Sequence, residues 1–395
     1  MKILAIDTSC DETSVAVLEN DWVLANKLSS QIQAHQEWGG VVPSLARRKH
    51  EELIDLVIAN ALKQAKLKLE DIDVFAATKG PGLAIALEVG LRKIKDFATK
   101  FGKPMVAVNH MEGHIYSTLA KNSHGLPVVE YQFPLLVLLI SGGHTELVLM
   151  KNHGEYEIIG QTLDDAIGEA YDKVGRMLDL GYPAGPAMEK IAEEGDENAY
   201  ELPIPMKHSK DGNMSYSGLK TAAMKLINDE LSASNKYLDK FRDSLSETDK
   251  RKAERLAAST KAMSELQGAE NIKQVLPERK TDRQIVCDIA ASFQKAAVEQ
   301  VSLKTAFMLN KLKADGIEIK DLIVGGGVAQ NKYLRKAFRS KFGKELRIHY
   351  PQNKKLYTDN AGMIGVAAYW NAVRGKFVES IEAVDRDPNW SLDEL

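Results

Sequence analysis

The sequence predicts an α/β protein of two related lobes with a cleft between them, and three observations carry that prediction. A mostly apolar run at residues 2–8 is followed by a polar turn at 9–12 and by further strand-like runs at 14–18 and 22–28, which reads as a three-stranded meander. The same order recurs at 135–140, 141–144, 146–150 and 156–161. After each meander the periodicity turns helical, over 43–67 in the first half and 165–180 in the second. At 395 residues the chain is too long for one ordinary core. The expected division is a first lobe over 1–130 and a second over 131–395.

Each half then offers a strand that ends in a glycine-rich turn and opens a helix. In the first half this is 74–78 with Gly80-Pro81-Gly82, and in the second 322–324 with Gly325-Gly326-Gly327. Such a turn is either a tight connection or a place where backbone amides and a helix N-terminus approach an anion. Neither a P-loop nor a complete dinucleotide fingerprint is present. A duplicated lobe of this kind suits a nucleotide held between halves, as in the duplicated actin-like lobes of actin, sugar kinases and chaperone ATPases, an analogy of fold alone. Residues 229–280 carry dense alternating charge and only two aromatics, Tyr237 and Phe241, as expected of an exposed helical hairpin or partly ordered insertion. A long helical pattern starts at Asp282, and a last helix is expected over 361–370, where Asp359 stands at a capping position.

Composition narrows the class. With 44% hydrophobic and 27% charged residues the chain fits a soluble globular protein. Its longest aliphatic run, Leu135–Ile140, is far short of a bilayer span, and Asp7 interrupts the apolar N-terminus, so a cytoplasmic protein without a membrane partner is expected. Two cysteines, Cys10 and Cys287, exclude a disulfide framework and a cysteine-rich zinc site. Any metal must use nitrogen and oxygen ligands.

His110-Met111-Glu112-Gly113-His114 offers those ligands. On a helix, positions i and i+4 differ by about 40°, so both imidazoles can reach one ion. The spacing alone does not separate ligands from coincidence. A zinc protease of the His-Glu-x-x-His type needs its glutamate directly after the first histidine, whereas Glu112 lies one residue later, about 200° around the helix from His110.

Six stretches, in order, resemble the bacterial and organellar tRNA threonylcarbamoyladenosine transferase family, formerly described as a glycoprotein endopeptidase. They are Asp7-Thr8-Ser9-Cys10-Asp11-Glu12-Thr13, His110-Met111-Glu112-Gly113-His114, Ser141-Gly142-Gly143-His144-Thr145, Tyr216-Ser217-Gly218-Leu219-Lys220-Thr221, Gly326-Gly327-Val328 with Asn331, and Thr358-Asp359-Asn360. The resemblance spans nearly the whole chain except the charged segment. It implies transfer of a threonylcarbamoyl group from threonylcarbamoyl-AMP to the N6 amine of the adenosine 3′ of the anticodon in tRNA. It also implies one divalent metal, usually described as iron and sometimes as zinc, on His110, His114 and Asp359. Substrate contacts carry over to Leu139, Ile140, Ser141, Gly142, Gly143, Asp172, Gly185 and Asn331. The implied partners are a catalytically silent paralogue and a small P-loop ATPase. Two departures stand out: Ala184 replaces a glycine common in the family, and Glu189 stands where an aspartate is frequent.

Two assignments go beyond those matches. Asp11, in the polar turn of the first lobe, is either a general base or a turn cap. Residues 332–355 hold nine basic side chains against Glu345 alone, among them Arg335, Lys336 and Arg339. That run is either a phosphate-binding surface or a solvated helix face. Two rival functions remain, a metalloprotease, opposed by the place of Glu112, and a nucleotide-dependent binding module without chemistry at a metal.

Overall fold

A computed structural model describes residues 1–36, 38, 40–231 and 282–395. The first sheet has the order β5-β4-β1-β2-β3-β6, with β1 at Lys2–Asp7, β2 at Glu12–Glu19, β3 at Trp22–Ser30, β4 at Val74–Gly80, β5 at Met105–Asn109 and β6 at Lys121–Asn122. In the second sheet the order is β11-β10-β7-β8-β9, with β7 at Leu135–Ile140, β8 at Thr145–Asn152, β9 at Glu155–Gln161, β10 at Asp321–Gly325 and β11 at Arg347–His349. The first three strands of each set pair antiparallel, and the fourth and fifth add in parallel beside the first. The two halves are therefore one topology written twice, and the protein is an actin-like α/β fold of two lobes.

Why the central strands are continuous apolar runs follows from their neighbours. β1 and β7 are covered on both faces, so all six residues of β7, Leu-Leu-Val-Leu-Leu-Ile, are buried. The outer face of the first sheet packs on α2 (Pro43–Ala65) and α3 (Ala84–Phe101), around Ile54, Ile58, Phe75 and Ile94. On the outer face of the second lie α5 (Ile167–Met177), α6 (Gly185–Ala192), α7 (Ser217–Leu231), α8 (Asp282–Ala314) and α9 (Lys332–Phe342), around Tyr171, Phe293 and Phe338.

Between the sheets lie α4 (His110–Tyr116) and α10 (Ala361–Val373), each the helix that follows the fifth strand of its half. A third core, with Ile3, Leu18, Met111, Leu139, Val148 and Ile364, fills this middle layer and joins the lobes. Gly113 lets the two helices touch, since a Cβ there would lie 2.8 Å from Ile364 Cδ1. Residues 361–395 do not stay with the second sheet: α10 covers the inner face of β1–β3, and the tail beyond it runs along β4 and β5. The helical hairpin expected within 229–280 falls, apart from the end of α7, outside the described residues. No described helix is long and apolar enough to cross a membrane.

Candidate active site

The first lobe brings its polar residues to the C-terminal ends of β1 and β5. Asn109, fully buried, caps α4 by accepting from the amides of Met111 (2.8 Å) and Glu112 (3.3 Å), which orients His110 and His114 towards the second half. Asp359 meets them there. Its Oδ1 lies 3.3 Å from both His110 Nε2 and His114 Nε2. Sequence reasoning put Asp359 at a helix cap, but Asn360 is the residue that caps α10, accepting from Met363 N at 3.1 Å. Asp359 is thereby released for the cleft.

Three ligand atoms, one from each of these side chains, fall within 4.8 Å of one another. Around an ion bound at about 2.1 Å, neighbouring ligand atoms stand roughly 3.0–3.4 Å apart, so the 3.3 Å separations fit. Both ring nitrogens of His114 and Nδ1 of His110 are buried without a hydrogen-bond partner. Two imidazoles and a carboxylate are the donor set of iron(II) and zinc sites. Electrostatics agree with a cation at this point: burial opposes the shift, yet Asp359 and Asp7 push His110 up to about 10. Against its own burial, Asp359 is held well below the usual carboxylate range by His110 and His114.

Several residues around the triad escaped sequence reasoning. Asp7 ends β1 with Oδ1 accepting from Thr78 Oγ1 (2.8 Å) and Ser9 N (3.2 Å), while its buried Oδ2 stands 3.7 Å from His110 Nδ1. It stands behind the ring, where a carboxylate commonly backs a metal-binding histidine, at a distance longer than a hydrogen bond. The signal was a carboxylate closing a buried apolar strand. His144 sits close enough that burial, then His110 and His114, lower it to about 4. Burial, then Asp359 and Asp11, push Glu12 well up. Asp11 is buried on this rim and faces Tyr182 of the second lobe, whose hydroxyl is raised by burial, then by Asp11 and Asp172.

Glu112 points away from the triad, as its place in the motif demanded. It accepts from Tyr156 Oη (2.9 Å) and Asn371 Nδ2 (2.8 Å) in the middle layer, beside Arg374, so Glu112 cannot act as the base of a His-Glu-x-x-His protease.

The second lobe supplies the opposite wall. Ser141, Gly142 and Gly143 form the turn from β7 to β8, where a Cβ at either glycine would meet nothing within 4 Å. Ser141 Oγ accepts from Gly143 N and His144 N. Leu139 and Ile140 have fully buried side chains, so only their backbone can serve a ligand. The turn at Gly325–Gly327 closes over this point: a Cβ at Gly325 would lie 2.7 Å from His114 O, and one at Gly326 2.4 Å from Ile140 O. Triad and second-lobe turns are thus contiguous. Asp172 and Gly185 are brought together, Asp172 Oδ1 accepting from Ala184 N (2.8 Å) and Gly185 N (3.1 Å). Asn331 is nearly buried, caps α9 through Leu334 N and donates to Gln294 Oε1, so its amide is largely engaged at home.

Of the two readings of Gly80-Pro81-Gly82, the structure favours the tight connection over an anion cradle, because Gly82 N donates to Pro388 O (3.1 Å) and Leu83 N to Ser9 O (2.8 Å). Part of the basic run is engaged by neighbours. Arg347 makes a two-point pair with Asp321, Lys332 pairs with Glu193 on the surface, Lys341 donates to Ser302 O, and Arg335 lies 4.5 Å over the Tyr350 ring. Lys336, Arg339, Lys344, Lys354 and Lys355 are exposed.

The fold and these side chains define a two-lobed α/β protein of the actin-like class, with a triad fit for a metal ion against an open glycine turn. The family profile of tRNA N6-adenosine threonylcarbamoyltransferase (TsaD) matches residues 22–366. Relatives of that name include those of Thermosipho africanus, 37% identical over 99% of this chain and the whole of the relative, and Thermomicrobium roseum, 41% identical over 95% of this chain and 93% of the relative. The crystal structure of T. kodakarensis HypF matches with a TM-score of 0.54 at 13% identity, over 96% of this chain and 48% of that one, a likeness of fold. The chain belongs to the tRNA N6-adenosine threonylcarbamoyltransferase family and is a transferase that acts in tRNA modification.

Proposed function

We propose that the chain transfers the threonylcarbamoyl group of threonylcarbamoyl-AMP to N6 of the adenosine 3′ of the anticodon, with one divalent ion, iron(II) or zinc, on His110, His114 and Asp359. The observation that carries this reading is the meeting of both imidazoles with Asp359 beside the Ser141–Gly143 turn. A bound ion would supply Lewis-acid polarisation of the donor's carbamoyl carbonyl. The protein's own part is placement. The Gly142 amide and the open space before the turn that follows Leu139 and Ile140 receive the adenylate phosphate, while the region of Asp172, Gly185 and Asn331 receives ribose and base.

The N6 lone pair attacks the carbamoyl carbon, the bond from that carbon to the phosphate oxygen breaks, and AMP leaves. The N6 proton passes to a base on the cleft rim, for which Asp11 is the candidate. Because the lone pair of N6 is shared with the purine, alignment contributes much of the rate. tRNA phosphates meet Lys336, Arg339, Lys354 and Lys355, the last only four residues from Asp359. The setting is the cytoplasm, and a silent paralogue and a small P-loop ATPase act as partners. Transfer from threonylcarbamoyl-AMP to tRNA, assayed on chelator-stripped and metal-restored protein with and without such partners, tests the reading. Full transfer by stripped protein refutes it.

A further inference from the structure

At seven residues, α4 is far shorter than the roughly 12–15 that an isolated helix needs in water. Its two imidazoles must therefore be held by tertiary ties, and several of those ties come from the segment that follows Asp359. Asn109 spends its oxygen on the cap and gives its Nδ2 to Trp390 O at 2.9 Å. On the back of the helix Glu112 accepts from Asn371 and faces Arg374, and Gly113 abuts Ile364. Trp390, Asn371, Arg374 and Ile364 all follow Asp359 in the chain.

The tail that carries Trp390 is itself fastened to the first lobe. Val378 N donates to Met105 O (3.0 Å), Asp387 N to Lys79 O (2.9 Å), and Lys95 Nζ to the carbonyls of Glu382 and Val384. Lys79 Nζ lies 4.4 Å over the Trp390 ring, and Leu392 is buried in the middle layer.

We infer that residues 375–395 form a strap that positions the metal centre, and that Asn109 is the positioning residue through which the strap acts. The inference rests on the reading of His110, His114 and Asp359 as a metal site. The histidines sit on a helix whose cap, Asn109, is tied to the strap through Trp390 O, and Asp359 begins the segment that ends in the strap. Binding an ion across them and docking the strap are then linked equilibria, so each must strengthen the other.

Two variants separate this from ordinary structural support. Asn109→Ser keeps a short side-chain oxygen suited to capping and loses the donor to Trp390 O. Removal of residues 388–395 loses the acceptor and keeps Asn109. The readout is Zn2+ affinity, measured by competition with a chromophoric chelator on protein whose far-ultraviolet circular dichroism matches the parent. Both variants should bind Zn2+ at least about tenfold more weakly, within the range for groups that orient a ligand. The combined variant should be no worse than the truncation, because both changes break the same hydrogen bond. Parental affinity in Asn109→Ser, or additive losses in the combination, would overturn the inference. If the truncated protein does not fold, Asn109→Ser alone decides. His110→Ala is the control: retention of Zn2+ there defeats the metal site itself, whereas loss there with parental affinity in Asn109→Ser defeats only the strap.

Discussion

The two glycine turns that end the fourth strands occupy equivalent places in a duplicated topology, yet one is sealed and the other faces the active-site side. In the first lobe the tail lies on the turn, Pro388 O takes the Gly82 amide, and a Cβ at Gly80 would fall on Asp387 O. In the second lobe Gly325 and Gly326 press against His114 O and Ile140 O, with Gly327 and the neighbouring Gly142 and Gly143 open. Duplication thus supplies two similar scaffolds, and what covers each scaffold decides its chemistry. The first half holds the histidines rigidly, the second leaves backbone free for a ligand, and Asp359 crosses between them.

That division can be broken most forcefully at the triad. His110→Ala, His114→Ala and Asp359→Ala should each lower transfer by more than about 100-fold, exceeding the loss typical of residues that only orient a ligand, with the fold intact. Initial rates on tRNA check this, and near-parental rates in any one would remove that residue from the centre. Next come matched glycine substitutions. Gly142→Val should raise KM for the adenylate by about tenfold at unchanged Tm, since its Cβ enters open space in front of the turn. Gly82→Val should cost about 1–3 kcal/mol of stability, because its Cβ would lie 2.6 Å from Ser9 O. Equal effects of the two on KM would erase the distinction between sealed and open turns.

A smaller effect is expected on the basic rim. Changing Lys336, Arg339, Lys354 and Lys355 together to glutamine should weaken tRNA binding and flatten its dependence on log salt by roughly 0.7–0.9 for each phosphate no longer neutralised. AMP binding should stay unchanged, and an unaltered salt slope would send the search for the tRNA surface elsewhere. The last concerns Glu146, a β8 residue near the tail, whose carboxyl is pushed up to about 7 by burial and then by Asp393. Since its folded value lies above the ordinary 4.5, the stability it contributes is present below 4.5 and lost as pH rises through 7. Glu146→Gln cannot ionise, so it should match the parent at pH 4.5 and exceed it by about 1–3 kcal/mol at pH 8 in urea unfolding. The opposite order would place a stabilising charge there.

Much of this architecture was legible because burial writes periodicity into sequence. β7 is apolar throughout because both its faces are covered, and the two meanders show their kinship through the same run, turn and run. The histidine pair stood out by its spacing, which on its own left coincidence open. Asp359 was not, since it is brought to them by topology, at the entrance to the helix that is the second half's counterpart of α4. The tail was illegible for another reason. Its decisive hydrogen bonds use the carbonyls of Pro388 and Trp390 and the amide of Asp387, backbone groups rather than distinctive side chains, so no side-chain pattern marks them. The choice left open at Gly80-Pro81-Gly82 has the same origin: whether an amide is free depends on what distant chain lies across it.

The most direct test of the division between halves is a calorimetric titration of AMP into the His110→Ala/His114→Ala double variant, confirmed free of metal. If the first half holds the ion and the second the adenylate, AMP should bind within about threefold of its affinity for the parent protein, a difference under about 1 kcal/mol. Loss of AMP binding in this folded, metal-free variant would contradict the account, because the adenylate would then depend on the triad rather than on the open turns of the second lobe.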